Sequence, residues 1–278
     1  MQIILVDYKS ICAGDEMTWQ RNKRGFLHKS MLNVWKRCPF KYKCWFIDEI
    51  PHEASIEMMQ GRSFHLFAKT FFDKVDLSTL DTCKGQTETE RYMLSLIKDE
   101  YGDNFPYCEQ FALFEANRYT NIRANGKDPH KYYKPLVREF YFEDEKLHRA
   151  GAIDRIDLAM DDRLVVIDYK PRIGQISDLR SELVFYLEAV NSLKMCPPYV
   201  AVYIGCYAYK QNRLLFERVS PQTKAALSKS IIKMQSDHDF VRRFSDDCVT
   251  CWFNEFCVDT REWKEWENET RDESENSQ

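Results

Sequence analysis

The chain has 278 residues, 44% of them hydrophobic and 30% charged, with a formal net charge of −4. That length and composition build a core without covalent staples, and they exclude both a disordered polymer and a uniformly basic nucleic-acid binder. No apolar run approaches the roughly 18 residues of a membrane-spanning helix, and with 9 glycines, none in a GxGxxG or GxxxxGK arrangement, no nucleotide-binding glycine loop is signalled.

In chain order, residues 1–25 read as a strand and a loop. Their apolar run has no basic residues ahead of it, so a signal peptide is not expected and a cytoplasmic location is. A helix starting at the N-cap Ser30 runs into Cys38-Pro39 and resumes toward Phe46. Helical spacing of Ile56, Met59, Phe64, Phe67, Phe71 and Phe72 predicts a helix over 53–75, and further helices fit 86–101 and 106–118. The polar stretch 120–134 reads as a loop. Strands follow at 136–143, 147–160 and 163–170, the last two joined by a turn at Asp161-Asp162. A helix over 178–193 comes next, then strands at 199–208 and 213–219. A long helix from Pro221 to about Phe244, a cysteine-rich knuckle at 248–257 and an acidic tail complete the chain. Helices, three strands, helix, two strands, helix is the order of an α/β fold, a mixed sheet flanked by helices.

Charge and cysteine are unevenly placed. Residues 21–43 carry eight cations and no acid, with Trp35, Phe40, Tyr42, Trp45 and Phe46 among or beside them. Such a segment either follows a phosphate backbone, with Lys36 and Arg37 as contacts, or is a solvated helix face. The tail, residues 259–278, has eight acids against three bases. Ten cysteines without an export signal imply a reducing compartment, where close spacing points to metal or cluster ligands.

The chemistry concentrates in GAIDRIDLAMDDRLVVIDYK. A hairpin turn at 161–162 puts Asp154 close to opposite Asp168, and Lys170 shares a sheet face with Asp168. Paired carboxylates form a hard-oxygen site for Mg²⁺ or Mn²⁺, and a neighbouring lysine can orient water or neutralise phosphate. This is the equipment of metal-assisted phosphodiester hydrolysis.

Gly151-x-x-Asp154-Arg155 followed by Asp168-Tyr169-Lys170 resembles the PD-(D/E)XK nuclease superfamily in its RecB-like branch. That branch also has a helical Gly-x-x-x-His, matched by Gly61 to His65, and a later Gln-Leu-x-x-Tyr, matched here by Glu182-Leu183-Val184-Phe185-Tyr186 with Glu182 in place of glutamine. The resemblance implies that His65, Asp154, Asp168 and the Tyr169 carbonyl hold Mg²⁺ or Mn²⁺. It assigns Lys170 to the attacking water, and Arg155 and Tyr186 to supporting or phosphate contacts. Without it, a histidine among phenylalanines is ordinarily a core residue.

Cys248-x2-Cys251-x5-Cys257, with Cys38-Pro39 far upstream, resembles the iron–sulfur members of that branch, among them the CRISPR-associated RecB-type exonucleases (the fourth Cas family). There, four thiolates hold a 4Fe–4S cluster that clasps the two chain ends. From the residues alone, four thiolates suit an all-cysteine zinc site or a cluster, and one-plus-three spacing departs from the paired CxxC of structural zinc. Cys44 and Cys12 are rivals to Cys38.

The resulting domain plan is an N-terminal helical segment (1–75), a helical insertion (76–135), the nuclease core (136–245), the cluster knuckle (246–258) and the tail (259–278). The insertion matches nothing in the resemblance and is a candidate cover for the active-site cleft. The function implied is a metal-dependent exonuclease on single-stranded DNA ends, trimming prespacers beside the spacer-integrating Cas proteins. Rivals are a phage or repair nuclease of the same type and a non-catalytic DNA-binding scaffold with a structural cluster.

Overall fold

The computed structural model describes residues 25–51, 56–98, 106–258, 260 and 263–266. The strand and loop expected before residue 25, Cys12 and nearly all of the acidic tail lie outside the described residues. What is described falls into two compact units, one of residues 25–28 and 56–228, the other of residues 29–51 and 229–266.

The first unit is built on a six-stranded mixed sheet. Its strands are β1 (Leu27–His28), β2 (Val137–Asp144), β3 (Arg149–Leu158), β4 (Leu164–Lys170), β5 (Ala201–Ala208) and β6 (Arg213–Arg218). The order is β1-β3-β4-β5-β6, with β2 paired to β3. Only β4/β5 and β1/β3 run parallel. The near-continuous apolar run of β4 is the mark of a strand covered on both faces, and all but Val165 and Lys170 in it are buried. The turn at Asp161-Asp162 forms as expected, with Asp162 at φ 60° and the Ala159 N–H bonded to the Arg163 carbonyl.

β3 has an uneven edge. Along one side it pairs with β2 over nearly its whole length. Along the other it pairs with β4 at Arg155–Leu158 and with β1 only at Arg149–Ala150. Residues 151–154 therefore lie in a gap between β4 and β1, and Asp154 borders that gap.

Helices cover both faces of this sheet. α8 (Arg180–Leu193) joins β4 to β5 and buries Leu183, Val184, Phe185, Leu187 and Val190. On the opposite side, α3 (Ile56–Lys74) and α6 (Pro106–Ala124) bring Phe64, Phe67, Phe71 and Phe111 together with Tyr169 of β4 and Tyr207 of β5. These four phenylalanines are at most 1% exposed, and each contributes about 1.5–3 kcal/mol of hydrophobic burial. Beside α6 stand α4 (Leu77–Thr82), α5 (Gln86–Lys98) and α7 (Pro129–Tyr132). The insertion is thus an inner layer against the Tyr169 face of the sheet, in the same compact unit as the strands. Among the described residues, the insertion packs on this side and α8 on the other.

In the second unit, α1 (Lys29–Arg37) buries Leu32 and Trp35. Cys38 caps the short α2 (Pro39–Tyr42), whose Pro39 sits at the favoured first position, and a π-helical turn follows at Lys43–Ile47. Trp35 Nε1 donates to Asp237 (2.7 Å), and Arg243 donates to the Lys36 carbonyl (2.6 Å). The Arg242 guanidinium lies 4.0 Å over the Phe40 ring. α9 (Pro221–Gln235) stops well before Phe244. Just beyond it, the Asp237 side chain accepts the backbone N–H groups of Asp239 and Phe240, a local alternative to further helix.

Candidate active site

At the gap in the β3 edge three side chains converge. His65 Nδ1, on α3, lies 2.9 Å from Glu139 Oε1 and 3.5 Å from Asp154 Oδ1. One ligand atom from each of the three falls within 4.8 Å of the others, close to the span of donors on one ion with bonds of roughly 2.1 Å. Burial alone would lower the His65 pKa from 6.5, but the Asp154 carboxylate, the Glu139 hydrogen bond and Asp168 outweigh it and raise the value to about 9. In the metal-free protein a proton thus balances the carboxylates.

Glu139 was not among the residues singled out from the sequence. Its register was nevertheless countable. β2 and β3 pair Arg138 with Arg155 and Phe140 with Ile153, so Glu139 falls opposite Asp154. Its backbone takes φ 45°, a left-handed conformation costing about 1–3 kcal/mol for a residue with a Cβ. The strand breaks its regular geometry where it presents this carboxylate.

Asp168 and Lys170 emerge on one side of β4, as their two-residue spacing requires. Lys170 Nζ is 2.9 Å from Asp168 Oδ2 and 3.4 Å from Glu182 Oε2. Glu182, in the first turn of α8, is therefore an ion-pair partner of the lysine. The Asp154–Asp168 pairing extends the register Arg155↔Ile167, the last regular pair of that ladder. Beyond it, Asp154 Oδ2 accepts the Tyr169 N–H at 2.7 Å, a side chain replacing a ladder carbonyl. Tyr186, 5% exposed, packs against Phe142 and over Gly151, where a Cβ would meet its ring at 2.9 Å.

Arg155 is a correction. Of its two expected roles, supporting the site or touching phosphate, the second does not hold: Arg155 is 2% exposed and committed elsewhere. Its Nε and Nη2 bind the two oxygens of Asp157 (2.8 and 2.7 Å), and Nη1 binds Glu115 of α6 (2.6 Å). The reason is strand alternation: with Asp154 facing the metal-type cluster, the next side chain turns to the other face. A buried guanidinium with three bonds to two carboxylates is not available to solvent or to DNA. Lys36 and Arg37 close α1, and Arg37 is exposed.

In the second unit Cys38, Cys248, Cys251 and Cys257 line one cavity of about 220 Å³, together with Arg37, Arg242 and other residues. Backbone N–H groups point at two of the sulfurs, Lys41 at Cys38 Sγ (3.4 Å) and Ser245 at Cys248 Sγ (3.3 Å). Cys44 does not line the cavity. It is 2% exposed, and burial, then Asp48, push its thiol up to about 11. Among the described residues, His65, Glu139 and Asp154 are the group gathered at single-ion distances.

Carboxylates, an imidazole and a lysine meeting where two strands part are the kind of groups that divalent-metal hydrolysis uses. A family model for the PD-(D/E)XK nuclease superfamily matches residues 29–258, and the chain belongs to that superfamily. Its members generally cleave phosphodiester bonds with Mg²⁺ or Mn²⁺. Among curated proteins none matches the chain.

Proposed function

We propose that the chain is a metal-dependent DNA exonuclease of the iron–sulfur RecB-like type that trims single-stranded ends, and that its setting is CRISPR adaptation beside the spacer-integrating proteins. The observation that carries the catalytic part is the cluster of His65, Glu139 and Asp154 at the β3 gap, with Asp168 and Lys170 beside it. His65, Asp154, Asp168 and the Tyr169 carbonyl, joined by Glu139, are the proposed ligands. A bound divalent ion supplies water of lowered pKa and offsets phosphate charge. Lys170, held between Asp168 and Glu182, faces the charge that builds on the phosphate oxygens and stabilises it. Tyr186 seals the back of the site through its packing on Gly151.

The 4Fe–4S cluster is supported by the cavity that Cys38, Cys248, Cys251 and Cys257 share and by the N–H groups aimed at the Cys38 and Cys248 sulfurs. These features favour Cys38 over Cys44 as the fourth ligand.

The test uses anaerobically purified protein and two DNA substrates, an end-labelled single strand and the same sequence circularised. Mn²⁺-dependent loss of the linear strand only, abolished in Asp168→Ala and Lys170→Ala, is the expected result. Cutting of the circle at a similar rate overturns the exonuclease assignment. Cleavage by Asp168→Ala at the wild-type rate overturns the site. Colourless protein with stoichiometric zinc overturns the cluster, and failure to bind the spacer-integrating proteins favours the phage or repair setting.

A further inference from the structure

We infer that the helical insertion acts on the metal site from behind: the buried cluster of Glu115, Arg118, Arg155 and Asp157 is a positioning device that fixes Asp154 and Tyr169 where the β3–β4 ladder ends. The inference rests on the metal-site reading proposed above.

Regular pairing between β3 and β4 stops at Arg155↔Ile167. One residue further on, Asp154 and Asp168 must be held in place without it. Tyr169 is the point of attachment. On the metal side its N–H binds Asp154 Oδ2. On the opposite side its phenol, buried with the Arg155 guanidinium, feels that cation's charge. Adjacent residues of β3 thus act on one residue of β4 from both faces, Asp154 by a hydrogen bond and Arg155 by its charge, across the place where the backbone ladder fails.

That action is only as steady as the guanidinium is fixed. Asp157 binds two of its nitrogens and Glu115 a third. The other Glu115 oxygen takes Arg118 Nε at 2.7 Å. Arg118 in turn binds the carbonyls of Tyr132 and Tyr133 at the end of the insertion. Glu115 and Arg118 belong to α6, so the orientation of Arg155 is set from the insertion. The cluster holds two cations and two anions and places no net charge behind the carboxylates that would bind the metal. Neutralising Glu115 both loosens the fork and leaves a positive charge there, and both effects weaken a bound dication.

The test measures Mn²⁺ affinity of the full-length protein, by EPR of the free ion. Glu115→Gln, folded by far-UV circular dichroism, is expected to bind Mn²⁺ about tenfold more weakly, as on removal of an outer partner of a metal ligand. Leu80→Ala in α4 of the same insertion empties a fully buried position; it is expected to lower Tm yet keep its Mn²⁺ affinity. Unchanged affinity in Glu115→Gln, or an equal loss in Leu80→Ala, overturns the inference. Should Glu115→Gln fail to fold, Arg118→Lys, which keeps the charge of the cluster's partly exposed member but gives up the planar fork that holds Glu115, is judged by the same rule. Wild-type protein that binds no Mn²⁺, or that keeps its affinity in His65→Ala, overturns the metal-site reading instead.

Discussion

At the scale of single residues, the site carries a built-in competition between a proton and a metal. The metal-free protein holds a proton on His65 up to about pH 9, because Asp154 and Glu139 outweigh the effect of burial. A raised pKa stabilises the metal-free fold fully below the unfolded value of 6.5, and that contribution fades as pH rises through about 9. Metal binding reverses the dependence, since the imidazole must give up its proton. Mn²⁺ is therefore expected to bind more tightly from pH 6.5 toward 9, releasing a proton at pH 7.5. Calorimetry in buffers of different ionisation enthalpy measures that proton, and none released refutes His65 as a ligand. Asp154, Asp168 and Lys170 were legible in the sequence because fifteen or so residues and one hairpin connect them. Glu139 lies across another hairpin, and only a register count reveals it. The fate of Arg155 was not legible, because Glu115 comes from a helix forty residues upstream and no local pattern links the two.

At the scale of elements, propensity served well where burial and period agree. The strands and α3 announced themselves through alternation and through phenylalanines at helical spacing. Boundaries shifted where side chains bind backbone. Asp76 caps an unanticipated helix by accepting the Ser78 and Thr79 N–H groups, and Asp237 draws the chain out of α9. The motif glycine Gly151 finds its reason at this scale too, in the close approach of α8 to β3. Gly151→Ala forces the Tyr186 ring to move, since the added carbon would stand 2.9 Å from it. A loss of about 1–3 kcal/mol is expected, the usual cost of overpacking a filled site. Urea denaturation measures it, and an unchanged midpoint shows that the ring yields freely.

At the scale of the whole molecule, the units do not follow the chain. A linear division placed residues 1–75 together and 76–135 apart; the structure instead groups 29–51 with 229–266, and the insertion with the strands. Hydrophobic pattern reports what an element buries but not which distant element covers it, so this grouping was invisible except through the spacing of cysteines. DNA affinity belongs to the same scale. Lys36 and Arg37 end α1 in a segment without acids. Replacing both with alanine is expected to flatten the slope of log affinity against log salt by about 1.4 on single strands, at roughly 0.7 per phosphate contact. Filter binding across a salt series tests this, and an unchanged slope returns α1 to a solvated helix face.

The second unit also has a history in time. Its contacts Trp35–Asp237 and Lys36–Arg243 join residues 202 and 207 positions apart. Closing so long a loop costs about 5 kcal/mol of chain entropy, but on the ribosome the loop cannot close at all until its second half exists. At roughly 5–20 residues per second, Leu32 and Trp35 wait about 10–40 s for their partners. During that interval the apolar side of α1 is a client for chaperones, and any cofactor held by residues from both halves is inserted after translation. Ribosome-stalled chains ending at residue 228 should be cut by protease within residues 29–51, while chains carrying residues 229–278 clear of the exit tunnel resist. Equal resistance in both would mean that α1 finds shelter elsewhere while it waits.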